Sequence, residues 1–327
     1  MEPVDRAHPA DWTTAWDGSV ANTDPQSIDR WCSSSPWATS AKSAFNHDGE
    51  LVIACSDGAG FAMATVRAAP GGALVPLESV WLFGAPIVGS DPRVAASYAA
   101  DHFFSQRREQ AIYLGGYRED SPWWQALIDS FGPYGDLFGG EERARCRASL
   151  DGGIDGYLSR RTRAFRRNLR QGERLASNAG IHFDIVDAMD SNLLLERLHR
   201  IEQESWKGLD GSGIEGHDMA TLYAHLLPLL SSQGSLRACV ARDGKGCDVG
   251  FIFGGVRDGT YRGLQLSFVE SARELGIGNL LQWHEIQRLA SEGLYTYDIG
   301  MDMEYKRLWT EELFVTRLLF ARRAPRR

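Results

Sequence analysis

Residues 236 to 300 constrain the fold most. Strand-like runs at 236–242, 249–256 and 260–268 are joined by Asp243-Gly244 and Asp258-Gly259, pairs that favour tight hairpin turns. A helical pattern at 280–291 and a strand-like run at 294–300 follow. A meander of antiparallel strands that feeds a helix and returns as a strand must bury both helix and sheet, which sets the class as α/β.

Upstream, a helix is expected over 154–176, ended by Asn178-Ala-Gly180; a strand over 181–186 and helices over 192–207 and 219–230 follow. Leu194, Leu198, Ile201 and Ser205 recur at helical spacing in the first of these two helices. The N-terminal half has its own meander at 51–55, 61–68 and 75–83. Asp91-Pro92 then opens a helix to about 106, with a strand at 111–114 and a helix at 122–130. The first forty residues read as an irregular lead-in, the glycine-rich 135–140 as a domain end, and 313–321 as a last strand. Two domains are therefore expected, 1–145 and 146–327, each a mixed, mostly antiparallel sheet flanked by helices.

The 327 residues, 43% hydrophobic and 24% charged, suit a soluble protein with two cores. Five scattered cysteines, never spaced C-x-x-C, exclude a disulfide framework and a zinc site, and no metal is expected. The formal charge of −8 argues against general affinity for nucleic acid. No apolar run reaches the roughly 18 residues of a membrane span, and Met1-Glu-Pro-Val-Asp does not open a secretory signal. A cytoplasmic protein, monomeric or dimeric, without a membrane partner, is the expectation.

Chemistry concentrates in Arg273-Glu-Leu275-Gly276-Ile277-Gly278-Asn279, between a strand and a helix. Unpaired N–H groups and the positive dipole end suit a phosphate diester there, and the two glycines allow close approach. The dinucleotide fingerprint needs glycine at 281, which is leucine, and the P-loop's Gly-Lys-Ser/Thr is missing.

Arg273-x-x-Gly276-x-Gly278 resembles the Arg/Gln-x-x-Gly-x-Gly/Ala pyrophosphate loop of GNAT acyltransferases. The ending Tyr297-Asp298-Ile-Gly300-Met-Asp302-Met-Glu-Tyr305-Lys306-Arg-Leu-Trp309, the arginine-rich 160–174 and Glu204-Ser-Trp206-Lys207-Gly208 resemble the cellulose-biosynthesis acetyltransferase branch of that superfamily. That branch commonly carries a Ser-Pro-Gly-like loop at 276–278, so the acceptor need not match it. Fem-type peptidyltransferases, with two GNAT-like domains in tandem, are relatives by the same features. The N-terminal half resembles a degenerate copy, whose nearest loop, Gly84-Ala-Pro-Ile-Val-Gly89, lacks the motif.

The resemblance implies that Leu266, Ser267 and Phe268 line the thioester and pantetheine of acyl-CoA, acetyl-CoA in the simplest case, with 273–279 on its pyrophosphate. The following strand is expected to diverge and leave a cleft. Tyr305 is then placed to protonate the departing thiolate, or is a packing tyrosine. Glu204, Asp298, Asp302 and Glu304 are candidate bases, with Asp302 preferred between strand end and Tyr305. Trp206, Lys207, Asp298 and Lys306 are candidates for the acceptor, or the lysines pair with Asp298 and Asp302. The arginines of 160–174 form a solvated face or a collar for phosphates. His284 reads as a packed helix residue, and His217 and His225 share no metal spacing.

The activity implied is transfer of an acyl group from acyl-CoA to an amine. The alternatives are a Fem-like transferase using aminoacyl-tRNA or an acyl carrier, and a non-catalytic binding module.

Overall fold

The computed structural model describes residues 9–56, 58–66, 71–209, 214 and 217–324. The chain divides into two compact units, one of residues up to Arg143 with those from Val315 on, the other Ala144–Phe314. The expected boundary at 145 differs by two residues, and 315–324 belongs with the first unit rather than the second.

The first unit opens with helices α1 (Pro9–Asn22) and α2 (Ser35–Phe45), which corrects the expected irregular lead-in. The signal was there: Trp12, Trp16 and Val20 stand four apart, and all three are buried. Strands β1 (Leu51–Ser56), β2 (Ala59–Val66) and β3 (Ala73–Pro76) form an antiparallel meander, with β4 (Ile87–Gly89) also on β2. The run expected over 75–83 stops at Pro76. Buried Glu78 instead accepts backbone N–H groups from Trp81 at 2.6 Å and Phe83 at 2.9 Å, folding 78–83 into a turn. Helix α3 (Pro92–Gln106) leads to β5 (Ala111–Tyr117), parallel to β3, and then to α4 (Pro122–Phe131). The last strand, Glu312–Arg323, pairs antiparallel with β5.

Strand β6 (Gly135–Ser149) begins where a glycine-rich domain end was expected; Gly135 and Gly140 leave no space for a Cβ, which would meet Arg322 O at 2.1 Å and the Leu318 side chain at 2.9 Å. In the second unit the helix expected over 154–176 is two, α5 (Gly153–Ser159) and α6 (Arg163–Asn178), because Thr162 caps α6 by accepting from Phe165 N. Then come β7 (His182–Ile185), α7 (Ser191–Gln203), the short α8 (Trp206–Leu209), α9 (His217–Ser232), β8 (Leu236–Arg242), β9 (Asp248–Arg257), β10 (Thr260–Phe268), α10 (Ile277–Ser291) and β11 (Thr296–Met301).

Strands β7 to β10 are an antiparallel meander in sequence order, β11 is parallel to β10, and β6 lies antiparallel to β11. Asp258 and Gly259 both take positive φ (48° and 72°), as the hairpin turn requires. Gly250 has no space for a side chain either: a Cβ would stand 2.8 Å from Ile277, which lets α10 pack closely on β9. The core beneath α10 includes Tyr157, Leu169, Tyr261, Trp283, Ile286 and Tyr297. Each unit is thus α/β with a mixed sheet flanked by helices, an antiparallel meander leading through one helix to a parallel strand. Among the described residues no helix is long and apolar enough to cross a membrane.

Candidate active site

Strands β10 and β11 pair only at 260–262 with 296–298. Beyond that register they part, leaving one edge of β10 without a neighbouring strand. The opposite edge stays paired to β9 as far as Phe268 with Gly250, and Val269 N donates to Val249 O at 3.0 Å. Backbone groups alternate sides along a strand. The N–H of Leu266 and Phe268 therefore points to the open edge, where Leu266 O already accepts the Lys207 ammonium at 2.7 Å.

At this parting lies a cavity of about 530 Å³. Its lining runs from Leu266 and Phe268 to Arg273, Gly276, Gly278 and Asn279 on one side, and to Lys207, Tyr305, Lys306 and Trp309 on the other. Gly276 has φ 67° and caps α10 without a side-chain bond, so the N–H groups of Ile277, Gly278 and Asn279 have no helical acceptor. The structure thus brings together nine of the residues singled out from sequence: Lys207, Leu266, Phe268, Arg273, Gly276, Gly278, Asn279, Tyr305 and Lys306. Arg273 is exposed and held by Glu270 through two bonds of 2.6 and 2.7 Å.

Other expected residues lie elsewhere. Ser267 and Ile277 are buried away from the cavity, and Leu275 ends the 3-10 turn Glu270–Leu275 without lining it. Trp206 opens α8, but its side chain lies outside the described residues. Asp298 is no acceptor ligand: it is fully buried, ion-paired with Arg262, Arg145 (3.5 Å) and Arg147 (3.2 Å), and accepts Gly300 N at 2.8 Å. Burial would raise its carboxyl, but the three guanidinium groups outweigh that and hold it far below the usual range.

Asp302 is likewise corrected as the preferred base. Arg307 grips both its oxygens and the Cys146 thiol donates to it at 3.3 Å, which together lower its pKa to about 2. Such a carboxylate is a poor proton acceptor near neutrality. Glu204 and Glu304 are exposed and neither lines the cavity.

Tyr305 has the opposite disposition. Desolvation of its phenol and the nearby Cys146 raise its pKa, so the hydroxyl keeps its proton. Lys306 donates to Met301 O at 3.0 Å. Desolvation, then Arg262, brings its pKa down to about 8. Lys207 is also lowered by desolvation, partly countered by Glu202. His284 stacks on Phe183 with ring centres 4.0 Å apart, a packed residue. Among the described residues no group of three or more His, Cys, Asp or Glu side chains could hold a metal ion.

Sequence reasoning missed Gln265, Gln282 and Glu202. Buried Glu202 accepts from Gln265 at 2.6 Å and from Ile214 N, so it stands behind the cavity wall. Gln265 reaches the lining because the register slips between Gly263 and Gln265, which puts Leu264, Gln265 and Leu266 all on one cavity. Strict alternation would have turned Gln265 away. Three arginines of the arginine-rich segment are structural: Arg160 and Arg161 bind Glu311 at 3.0 and 2.5 Å, and Arg166 donates to Leu158 O at 2.9 Å.

Residues 163–307 match the family model described as an Acetyltransferase (GNAT) domain. A comparison with curated protein sequences found no match. Among solved structures, the chain is similar in fold to FemX (TM-score 0.68, 12% identity, 99% of this chain and 98% of that one). It is similar also to a conserved protein of unknown function from Bacteroides thetaiotaomicron (TM-score 0.66, 11% identity, 99% and 100%). A third is the C-terminal domain of a putative lysylphosphatidylglycerol synthetase from Agrobacterium fabrum (TM-score 0.55, 14% identity, 86% of each). The parted strands and the glycine-capped helix lie inside the segment 163–307 that matches the Acetyltransferase (GNAT) domain model, and the whole chain is similar in fold to FemX.

Proposed function

We propose that the second unit transfers an acyl group from acyl-CoA, acetyl-CoA in the simplest case, to an amine in the cytoplasm. The observation that carries this reading is the cavity where β10 leaves β11, bounded at one end by the uncapped N-terminus of α10. The pyrophosphate of the donor is expected on the N–H groups of 277–279, with Arg273 alongside, and the thioester along Leu266–Phe268.

The acceptor nitrogen attacks the thioester carbon, forming the C–N bond as the C–S bond breaks. Outward N–H groups of Leu266 and Phe268 are placed to hold the oxyanion. Tyr305, which stays protonated, gives its proton to the departing thiolate. The ammonium proton leaves to solvent, and holding both reactants in one cavity supplies much of the acceleration. Calorimetric titration with acetyl-CoA tests the donor. Micromolar binding that is lost on changing the 276–278 loop is expected; no binding to the folded protein overturns the reading.

One observation favours a second reading, in which the donor is a larger phosphate-bearing carrier such as an aminoacyl-tRNA or acyl-carrier protein. Arg163, Arg167, Arg170 and Arg174 are exposed at helical spacing on α6, and no described residue pairs with them. Steep loss of binding with salt, in proportion to phosphates contacted, would favour it over free acyl-CoA.

A further inference from the structure

Every charged side chain among the described residues that lines the cavity is a cation: Lys207, Arg273 and Lys306. Arg273 has its carboxylate in Glu270. The two lysines have no carboxylate within ion-pair distance among the described residues. Each ammonium donates to a single carbonyl, Lys207 to Leu266 O and Lys306 to Met301 O. An ammonium has three donors, so each keeps two N–H bonds without an acceptor among the described residues.

The carboxylates behind the wall reach the lysines only through their field: Glu202 raises the pKa of Lys207 and Asp298 that of Lys306, and neither outweighs desolvation. Glu202 accepts from Gln265 and Ile214 N. Asp298 is shared among three arginines, one of which, Arg262, adds positive potential at Lys306. Two partly desolvated cations without a carboxylate in direct contact are unfavourable. They become favourable when an oxyanion sits between them. The donor's own anionic groups are already provided for at the 276–279 end, so this charge answers to the other substrate.

We propose that the acceptor amine carries an acid group, carboxylate or phosphate, bound by Lys207 and Lys306. This deepens the acyl-transfer reading above and rests on it. The lysines thereby select acid-bearing amines over neutral ones and hold the amine in reach of the thioester.

The test uses the full chain with saturating acetyl-CoA and amine pairs that differ only in the acid, glycine against glycinamide and phosphoethanolamine against ethanolamine. Turnover is read as released CoA thiol, and each amine is also titrated calorimetrically into the CoA-saturated protein. The acid member is expected to be favoured at least about tenfold in turnover or affinity, a difference of about 1.4 kcal/mol. Whichever acid wins identifies carboxylate or phosphate. Lys306→Gln, and Lys207→Gln checked for folding by circular dichroism, are each expected to reduce the preference to less than about twofold. Equal handling of acid and neutral members, a preference that survives both variants, or no acid bound at millimolar concentration overturns the proposal. Loss of acetyl-CoA affinity in the lysine variants would assign them to the donor and overturn it as well. Failure of wild-type protein to bind acetyl-CoA sinks the donor reading instead, which keeps the two failures apart.

Discussion

Gly278 lies so close to Phe268 that a Cβ at 278 would stand 2.8 Å from Cε1 and 3.1 Å from Cδ1 of the ring. The glycine therefore serves two purposes, bringing the helix N-terminus near the donor and leaving the ring of the cavity wall in place. Gly278→Val is expected to weaken acetyl-CoA binding by more than about tenfold, beyond 1.4 kcal/mol. Pairing it with Phe268→Ala removes the clash with the ring and leaves the obstruction of the loop. Calorimetry on the folded double variant should still find weak binding; full recovery would mean that the ring alone mattered.

Tyr305 and Asp302 are separated by their protonation. Tyr305→Phe keeps the ring and removes the proton, and is expected to lower turnover roughly 10²-fold with donor affinity little changed. Asp302→Asn should lower turnover by less than about tenfold, since its carboxylate, locked by Arg307, takes no proton at neutral pH. Steady-state rates with a thiol assay rank the two. A larger loss in Asp302→Asn than in Tyr305→Phe would restore Asp302 as the base.

Much of this was readable in the sequence. The Asp-Gly hairpins, the Arg273-x-x-Gly276-x-Gly278 loop and the returning strand are local signals, each fixed by φ preference or periodicity over a few residues. What escaped depends on distant partners. That Asp298 is structural follows from Arg145, Arg147 and Arg262, the first two some 150 positions away in sequence. That Asp302 is spent follows from Arg307, only five residues on, but through a turn with no period to reveal it. The tryptophan-spaced α1 was readable and was obscured by its small and polar neighbours.

Asp298 supplies the next expectation. Removing its charge takes from three arginines the buried carboxylate that they share. Asp298→Asn should cost about 3–5 kcal/mol of stability, the usual scale for breaking a buried pair. Urea unfolding of the two proteins measures it. A difference under about 1 kcal/mol would place Asp298 among the weak surface pairs.

Glu285 gives stability a dependence on pH. It is fully buried on α10, neither carboxyl oxygen has a hydrogen-bond partner among the described residues, and burial raises its pKa to about 7. Arg288, 4.0 Å away, only partly opposes this. The folded protein then holds a proton that the unfolded chain releases near its ordinary value of 4.5. Stability from this group is complete below about pH 4.5, falls as pH rises, and is lost above about 7. Glu285→Gln removes the dependence, so the variant should gain on wild type between pH 5 and 8 by on the order of 3 kcal/mol. Denaturation midpoints at the two pH values check it; a gap that does not widen toward pH 8 would mean that Glu285 is charged in the fold.

The two units differ most at corresponding helix starts, and this bears on how many donors one chain binds. Helix α10 begins at Gly276 with no side-chain cap, leaving its first N–H groups open. In the first unit α3 follows the meander in the same order, but Asp91 accepts from Arg93 N at 2.9 Å and Val94 N at 3.3 Å, and Pro92 has no N–H to offer. The carboxylate occupies the place an incoming phosphate would take and repels it. Ahead of it, 87–89 is strand β4 rather than a loop, and a Cβ at Gly84 would meet Cys32 O at 2.2 Å. One acyl-CoA per chain is therefore expected, on the second unit alone. Native mass spectrometry with excess acetyl-CoA counts the bound molecules. Gly278→Val should abolish the single adduct, and a second adduct that persists in that variant would assign a donor site to the first unit.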